Sequence, residues 1–395
     1  MKALITDGSY IHTVGIIRYL GINCVQNYIV GNNKYLDIAK YSKFCHKYII
    51  GPKPENEVEF IKLILEILAK EKIDIVIPVS YLSTAVCSKY KSEIKKYSKI
   101  EIADFDKISI ALNKKLTYKL AEQEGVSFPK TYYPKSINEV EKISKQIEYP
   151  VVIKWLFEVG RNIVVIVNDE KKLVNEYNII CQKYEPEENC LPMIQEYIPT
   201  ANNKVYCFSA LYQKGKCKRI FIQKQIRNVP ANGGTCAFAE SFYNREIIEN
   251  SQKLLDSLNW NGVANIEYKL DIRDNKFKLL EINPKFWAST EMSLKAGVNF
   301  PFLLLQMSQG INLNYSEEYD RNLKFHFPFS REIEHIKDKP SSIFHFIKDC
   351  LNPFVKSNVW LNDFMPNIVE LALCLVNNFI PNKLKKVLSC YFFQK

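Results

Sequence analysis

The chain has 395 residues, of which 47% are hydrophobic and 25% are charged. This is an ordinary globular balance that excludes a disordered chain, and the length favours two or three domains over one small core. The formal net charge is +11, which attracts anions of several kinds. Because the basic residues are scattered along the chain, we interpret them as a solvated surface and expect no nucleic-acid partner.

Cysteine and histidine spacing argues against a structural metal site. Eleven cysteines occur without a CxxC pair, and the five histidines lack ligand spacing. A zinc site is therefore not expected. The sequence opens without an apolar signal stretch, and no run reaches the ~20 apolar residues needed to span a bilayer. We expect no transmembrane segment and a cytoplasmic location.

Strand and helix patterns alternate in the first hundred residues. Apolar runs at residues 2–6, 24–30 and 74–78 indicate strands, and residues 57–70 carry apolar side chains at helical spacing. Such alternation is typical of a parallel sheet with crossover helices. We predict a Rossmann-like α/β domain at residues 1–110.

A smaller α/β unit is predicted at residues 111–200, beginning with a helix at residues 113–124. The strands expected after it lie at residues 131–133, 151–154, 163–167 and 193–197, with helices at residues 137–147 and 170–184. The strands at 151–154 and 163–167 are expected to pair as a hairpin.

Residues 201–320 are mostly β in pattern, and short strands joined by tight turns indicate an antiparallel sheet. The expected strands lie at residues 205–212, 217–226, 263–270 and 276–282, with one helix at residues 246–258. Prolines punctuate amphipathic pieces after residue 320, so residues 321–395 are predicted to form a helical extension without a catalytic pattern.

Two carboxylates and one amide fall on neighbouring predicted strands. Glu267 lies in one strand, and Glu281 and Asn283 lie in the next. Because strand side chains alternate between faces, Glu281 and Asn283 share a face, and Glu267 joins them if the register is right. Hard oxygen ligands of this kind suit Mg²⁺. We predict a magnesium site here, with an exposed polar strand edge as the alternative.

Two lysines and one strand end are candidate nucleotide contacts. Lys114 opens the helix at residues 113–124, and Lys154 ends an apolar strand. A lysine in such a position can place an ammonium on a phosphate. Residues 195–199 form a strand that ends in proline, where backbone groups could meet an adenine ring. A solvated lysine or an ordinary strand end is the alternative for each feature alone.

Arg227 precedes a loop rich in Pro, Asn and Gly. Its planar fork suits carboxylate or phosphate oxygens and could steady the charge that develops on a transferring phosphoryl group or an oxyanion. A surface strand followed by a hairpin loop is the alternative.

Taken in chain order, these segments resemble the ATP-grasp superfamily over roughly residues 1–310. The similarity is to its carboxylate–amine ligase-like members, of the carbamoyl-phosphate synthase large chain and D-alanine ligase type. The matching segments are Asn113-Lys114 with Gly125 and Pro129, the strand YPVVIK ending at Lys154, the hinge QEYIP, Glu267 with Glu281-Ile282-Asn283-Pro284, and the loop from Pro230 to Thr235.

The resemblance implies a combined α/β and α+β fold. A Rossmann-like pre-ATP-grasp domain at 1–110 would precede a lid subdomain at 111–200, a metal-bearing antiparallel subdomain at 201–320 and the helical extension at 321–395. It also implies ATP and Mg²⁺, or Mn²⁺ in its place, as cofactors. The implied activity converts a carboxylate to an acyl phosphate, which an amine then attacks.

The resemblance also implies roles for individual residues. Those expected to contact ATP are Lys114, Lys154, Gln195, Glu196, Tyr197, Ile198 and Lys204. Glu267, Glu281 and Asn283 would carry the metal, and Arg227 and Lys285 would be catalytic. The expected partners are a small-molecule carboxylate, an amine and a second copy of the chain, because two-fold dimers are the commonest oligomers.

Three departures from the family pattern bear on ATP handling. The loop after Lys154 has one glycine where the family has several, with Trp155 at a position where proline is common. Lys285 replaces an arginine, which keeps the charge but loses bidentate geometry. Asn202, Asn203 and Lys204 stand where a ribose-binding carboxylate is expected.

Two other functions remain open from the sequence. One is an ATP-grasp protein that binds nucleotide without turnover, which the glycine-poor lid suggests. The other is a nicotinamide-dependent oxidoreductase, suggested by the first α/β unit, although Gly8 and Gly15 do not form the GxGxxG fingerprint.

Overall fold

A computed structural model describes residues 1–33, 35–157, 164–186, 190–201, 204–231 and 233–380. These residues form one parallel sheet and two further sheets, with helices packed between and around them. The mixed α/β and α+β fold class predicted from the sequence is confirmed.

The first sheet has five parallel strands in the order β3-β2-β1-β4-β5. Its strands are β1 (Lys2–Ile5), β2 (Gln26–Gly31), β3 (Cys45–Ile50), β4 (Ile75–Ile77) and β5 (Lys99–Ile100). The helices around it are α1 (Ile11–Gly21), α2 (Glu57–Glu71), α3 (Tyr81–Lys89), α4 (Lys91–Ile94) and α5 (Phe105–Leu112), with a 3-10 helix at Ile38–Tyr41. The edge strand β3 was not predicted, because its residues are only partly buried and show no clear alternation.

The second sheet has four strands in the order β6-β9-β7-β8. Its strands are β6 (Thr131–Tyr132), β7 (Val151–Lys154), β8 (Val164–Val167) and β9 (Met193–Glu196), and its helices are α6 (Lys114–Gln123), α7 (Ile137–Ser144) and α8 (Glu170–Tyr184). β7 and β8 pair antiparallel, with Val151 opposite Val167, so the predicted hairpin pairing is confirmed. The side chain of Asn113 accepts hydrogen bonds from two backbone N–H groups of α6 and fixes the start of that helix.

The third sheet has seven strands in the order β14-β13-β10-β11-β12-β15-β16. Its strands are β10 (Tyr206–Gln213), β11 (Lys216–Val229), β12 (Thr235–Ser241), β13 (Gly262–Asp271), β14 (Lys276–Asn283), β15 (Lys324–His326) and β16 (Val355–Ser357). The helices α9 (Arg245–Ser257), α10 (Thr290–Lys295) and α11 (Phe300–Ser308) accompany it. A shared apolar core joins this sheet to the parallel one, with Ile5 and Ile77 in the same cluster as Phe286 and Leu305.

The segment after residue 320 contains more than the helices predicted for it. It contributes β15 and β16, which pair parallel at the edge of the large sheet. Its helices are α12 (Arg331–Asp338), α13 (Ile343–Leu351) and α14 (Met365–Phe379), with 3-10 turns at Pro340–Ser342 and Leu361–Asp363. Within the described ranges, every helix is too short or too polar to cross a membrane.

A buried arginine ties this C-terminal segment to the first domain. Arg18 on α1 is fully buried, and its guanidinium donates to the carboxylate of Asp363 at 2.8 Å and to the backbone carbonyl of Asn358 at 2.8 Å. It also donates to Asn367 and stacks against the ring of Trp360. The C-terminal segment is therefore fixed on the N-terminal domain rather than appended loosely.

Candidate active site

The predicted metal-binding side chains share one face of β13 and β14. Glu267 lies directly opposite Glu281, and Asn265 lies directly opposite Asn283. Because paired residues of antiparallel strands project to the same side, the register brings the two carboxylates and both amides together. The Asn283 side chain donates to a Glu281 oxygen at 3.1 Å. The register on which the metal prediction depended is thus the one observed.

The electrostatics of this face are those of a cation site. Burial and the neighbouring Glu281 charge raise the pKa of Glu267 to about 8. Burial also acts on Glu281, but the charge of Lys114 and the hydrogen bond from Asn283 outweigh it and lower the pKa of Glu281. The amide oxygen of Asn283 is buried without a hydrogen-bond partner. Two facing carboxylates and an unpartnered amide oxygen fit Mg²⁺, a hard cation that takes oxygen ligands.

Lys114 and Lys154 approach this face from the second sheet. The ammonium of Lys114, at the first residue of α6, lies 3.2 Å from a Glu281 oxygen. Lys154 donates to the side-chain carbonyl of Gln195 at 2.9 Å. Burial and the nearby charge of Lys114 lower the pKa of Lys154 to about 8. Two partly desolvated ammonium groups beside a predicted metal site suit polyphosphate oxygens.

Gln195 is the centre of a hydrogen-bond chain that sequence analysis did not predict. Its amide nitrogen donates to the hydroxyls of Tyr118 and Thr131, both at 2.9 Å, and Tyr118 donates to the carbonyl of Leu280 on β14 at 2.7 Å. This chain connects Lys154 to the strand that carries Glu281. The only sequence signal for it was the matched hinge segment, since Tyr118 looks like an ordinary helical core residue.

Lys285 lies between the metal face and the first domain. Its ammonium is 4.3 Å from the ring centroid of Tyr81, at the start of α3. Burial lowers the pKa of Lys285 to about 8, against the opposing pull of Glu267, Glu281 and Asp7. Its position after Pro284 therefore places a cation on the boundary between the large sheet and the parallel sheet.

The hinge residues predicted to meet adenine follow directly after this network. Glu196 accepts hydrogen bonds from the backbone N–H of Lys130 at 2.8 Å and from Arg273 at 3.0 Å. The ring of Tyr197 lies beneath the ammonium of Lys269, and Ile198 is buried. The Glu196 carboxylate is thus engaged within the protein, so the contact it could offer to a nucleotide comes from its backbone.

Arg227 is held by carboxylates of the C-terminal segment. Its guanidinium lies at 2.6 Å from Glu332 and 2.7 Å from Asp349, over the ring of Phe238. Glu332 has no exposed surface. No sequence pattern indicates this pairing, because the acidic partners lie more than a hundred residues later. The predicted catalytic role of Arg227 stays a prediction.

Part of the predicted site lies outside the described residues. This holds for residues 158–163 of the glycine-poor loop, for Asn202 and Asn203, and for Asn232 in the loop after Arg227. Lys204 is described and is half-buried just before β10. Its contact with ATP stays a prediction.

Residues 193–326 match a family model described as "ATP-grasp in the biosynthetic pathway with Ter operon". Among curated proteins, the chain is similar to D-aspartate ligase of Enterococcus faecium (strain Aus0004), at 23% identity over 278 residues. The match covers 66% of either chain, so the chain spans just under two thirds of that relative's length.

Two solved structures illustrate the similarity of fold. One is the biotin carboxylase domain dimer of Hydrogenobacter thermophilus 2-oxoglutarate carboxylase in complex with MgADP, at 19% identity and TM-score 0.64, covering 81% of this chain and 72% of the other. The second is L-amino acid ligase from Bacillus licheniformis, at 16% identity and TM-score 0.58, covering 78% and 73%. The resemblance to the ATP-grasp superfamily, predicted from the sequence, is confirmed.

Proposed function

We propose that this chain is an ATP-dependent ligase that activates a carboxylate as an acyl phosphate and couples it to an amine. ADP and phosphate are the other products. The observation that carries the proposal is the shared face of Glu267, Glu281 and Asn283, with the ammonium groups of Lys114 and Lys154 beside it. This arrangement supplies oxygen ligands for a divalent cation and positive charge for phosphates in one place.

Relatives with known activities support this reading. D-aspartate ligase and L-amino acid ligase are named for joining amino acids, and a further structural neighbour holds MgADP. ATP and Mg²⁺ are accordingly the cofactors we propose, on Lys114, Lys154 and residues 195–198 for ATP and on Glu267, Glu281 and Asn283 for the metal. The domain bounds 1–110, 111–200, 201–320 and 321–395 and a cytoplasmic location belong to the same proposal.

The described residues divide the work of phosphoryl transfer. Glu267, Glu281 and Asn283 would hold magnesium, which would neutralise the charge that develops on the phosphates. Lys154, oriented by Gln195, holds a phosphate oxygen, and Lys114 does the same while keeping Glu281 ionised. Lys285 places positive charge next to the carboxylate that attacks the γ-phosphorus. Catalysis then rests on positioning and charge neutralisation.

Arg227 has a supporting place in this mechanism. With its guanidinium held by Glu332 and Asp349, it fixes α12 against β11. Lys285 is the better candidate for stabilising the oxyanion that forms when the amine attacks the acyl phosphate. The charges of Glu267 and Glu281 both attract its ammonium, so it lies beside the metal face. Lys285 keeps the positive charge of the arginine that is usual at this position but not its bidentate geometry.

The test is magnesium-dependent ADP release, screened over pooled small carboxylates and amines. Release that requires one acid, one amine and Mg²⁺, and that disappears in Glu281→Ala, would support the ligase. The matched control is Glu240→Ala, which removes a carboxylate from the same sheet at a surface pair with Lys224. Tight ATP binding with no release from any pool would contradict the ligase and favour a nucleotide-binding protein without turnover.

A further inference from the structure

His12 is a buried histidine without a hydrogen-bond partner. It is the second residue of α1, only 6% exposed, and neither ring nitrogen has a partner in the described part of the chain. The ring contacts that of Tyr10, with centroids 5.0 Å apart. A buried polar group without a hydrogen-bond partner lowers stability, so such a group is expected to meet a ligand.

Two cations face this imidazole from different elements. Lys285 follows β14, and Arg331 begins α12. Burial and the charges of Lys285 and Arg331 together depress the pKa of His12 well below its ordinary range. His12 is therefore neutral at physiological pH and offers one N–H donor and one acceptor.

Arg331 is anchored so that its guanidinium stays desolvated. It donates to the backbone carbonyls of Cys236 at 3.0 Å and Ala288 at 3.1 Å, and it stacks on the ring of Phe327. Burial lowers its pKa, although the charges of Glu370 and Glu334 oppose that shift. Backbone carbonyls satisfy only part of the five-donor guanidinium fork.

The two cations stand in different surroundings. Lys285 is attracted by Glu267, Glu281 and Asp7, so it borders the metal face. The acidic groups that act on Arg331 include Glu334 of α12 and Glu370 of α14. One cation is thus placed for the reacting carboxylate. The second, Arg331, is held by the carbonyls of Cys236 and Ala288 and acts on the same neutral His12 as Lys285 does.

We propose that His12 and Arg331 bind a second anionic group of the acid substrate, so that the preferred acid is a small dicarboxylate. This rests on the proposed ligase function and deepens it. The reacting carboxylate lies at Lys285 beside the metal face, and the other carboxylate accepts hydrogen bonds from the Arg331 guanidinium and the His12 ring. Arg331 belongs to the C-terminal segment, so that segment takes part in selecting the substrate.

A purely packing role for His12 makes a different prediction. Phenylalanine has nearly the same shape, so His12→Phe should be neutral or stabilising if the ring only fills space. If the ring binds substrate, His12→Phe keeps the fold but loses a donor to the second carboxylate. The substitution therefore separates the two roles, even where Arg331→Met affects stability through its lost carbonyl contacts.

The experiment measures acid binding by calorimetry, with Mg²⁺ and a non-hydrolysable ATP analogue present. Succinate and aspartate are compared with butyrate and alanine, which lack the second carboxylate. The wild-type protein is expected to bind a dicarboxylate at least about tenfold more tightly than its monocarboxylate counterpart. His12→Phe and Arg331→Met are expected to erase that difference without changing affinity for the ATP analogue. His345→Phe, at an exposed histidine, is the control.

Equal binding of the two acid classes by the wild-type protein, or an unchanged preference in His12→Phe, would overturn the proposal. ADP release measured on the same samples tests the ligase separately. Turnover with monocarboxylates alone would leave the ligase standing and remove the dicarboxylate pocket. Dicarboxylate binding that depends on His12, without turnover under any condition, would keep the pocket and remove the ligase.

Discussion

Glu267 and Glu281 oppose each other across two paired strands, an arrangement that costs stability when no cation is bound. Like charges at facing positions repel, and burial increases the effect. Burial and the charge of Glu281 raise the pKa of Glu267 to about 8. A proton held on Glu267 removes its charge and so reduces the repulsion. A divalent cation removes the cost and orders the pair. Stability and metal binding are therefore opposed at this residue pair.

We predict that Glu267→Gln lowers the rate of ADP release by about a hundredfold or more. The midpoint temperature of thermal unfolding should stay unchanged or rise. The substitution removes a metal ligand and also the repulsion with Glu281. Thermal denaturation without metal and an ADP assay with Mg²⁺ measure the two effects. If Glu267→Gln unfolded at a midpoint several degrees below that of the wild-type protein, Glu267 would have a structural role instead.

Lys154 gives a second prediction for a single residue. Lys154→Met should weaken ATP binding by about tenfold or more, because an ammonium held by Gln195 no longer meets a phosphate. Stability should change little, since burial already disfavours the charge of Lys154. Isothermal titration with ATP and Mg²⁺ measures the loss. Lys324→Met, at an exposed lysine of the seven-stranded sheet, should bind ATP as the wild-type protein does.

Single elements were predicted well where the determining contacts are local. The turn at residues 271–275 pairs β13 with β14 as far as Tyr268 opposite Leu279, so the pairing of the two strands followed from spacing. A β-bulge next to Glu267 then shifts the register and places Glu267 opposite Glu281, which spacing alone did not predict. β7 and β8 were likewise found from two short apolar runs. In contrast, β15 and β16 were missed, because each has only three residues and pairs with a strand far along the chain. β12 was also missed, although it pairs with the neighbouring β11.

The same reasoning explains which site residues the sequence revealed. Glu281 and Asn283 carry a period-two pattern that any strand would show. Arg227 looked like a free phosphate ligand because its partner, Glu332, lies 105 residues away. His12 and Arg331 carried no local pattern, because α1 packs on α10 and α11 while α12 packs on β11 and β12, all of which lie far from them in the sequence or depend on distant strands. Non-local burial is the information that one sequence lacks.

The helix α12 depends on its ion pair with β11. Arg227→Met should destabilise the protein by about 3–5 kcal/mol, because Glu332 is left charged and buried without a partner. The double variant Arg227→Met/Glu332→Met should recover most of that loss. Urea unfolding of the single and double variants measures both. If the single variant kept full stability but lost ADP release, the predicted catalytic role of Arg227 would be supported.

At the scale of the whole molecule, Glu291 sits where three parts of the chain meet. It lies on α10, its carboxylate is 3.9 Å from Arg18 of α1, and it accepts a hydrogen bond from the Trp360 ring of the C-terminal segment. Burial raises the pKa of Glu291 to about 7, although Arg18 and Lys295 oppose the shift. The contacts among α1, α10 and the C-terminal segment therefore depend on whether Glu291 is protonated.

This coupling predicts how stability changes with pH. The folded protein binds the Glu291 proton more tightly than the unfolded chain, so its stabilising contribution is complete below the ordinary pKa of about 4.5. That contribution disappears as the pH rises through about 7. Relative to Glu291→Gln, the wild-type protein should lose about 2.5 kcal/mol of unfolding free energy between pH 5 and pH 8.

Chemical denaturation of both proteins across this pH range provides the measurement. Glu249→Gln, at an exposed carboxylate of α9, is the control for a surface substitution. A difference between Glu291→Gln and the wild-type protein that is the same at every pH would show that Glu291 has an ordinary pKa in the folded protein.

The buried arginine on α1 has a consequence for how the chain is made. Arg18 finds its carboxylate 345 residues later, at Asp363. At typical ribosomal rates of about 5–20 residues per second, roughly 20–70 s separate the synthesis of the two partners. Throughout that interval, Arg18 of the nascent N-terminal domain lacks Asp363, at a position that is buried in the complete protein. The N-terminal domain therefore emerges with an unfinished surface, and we expect chaperones to engage nascent chains that stop short of residue 363.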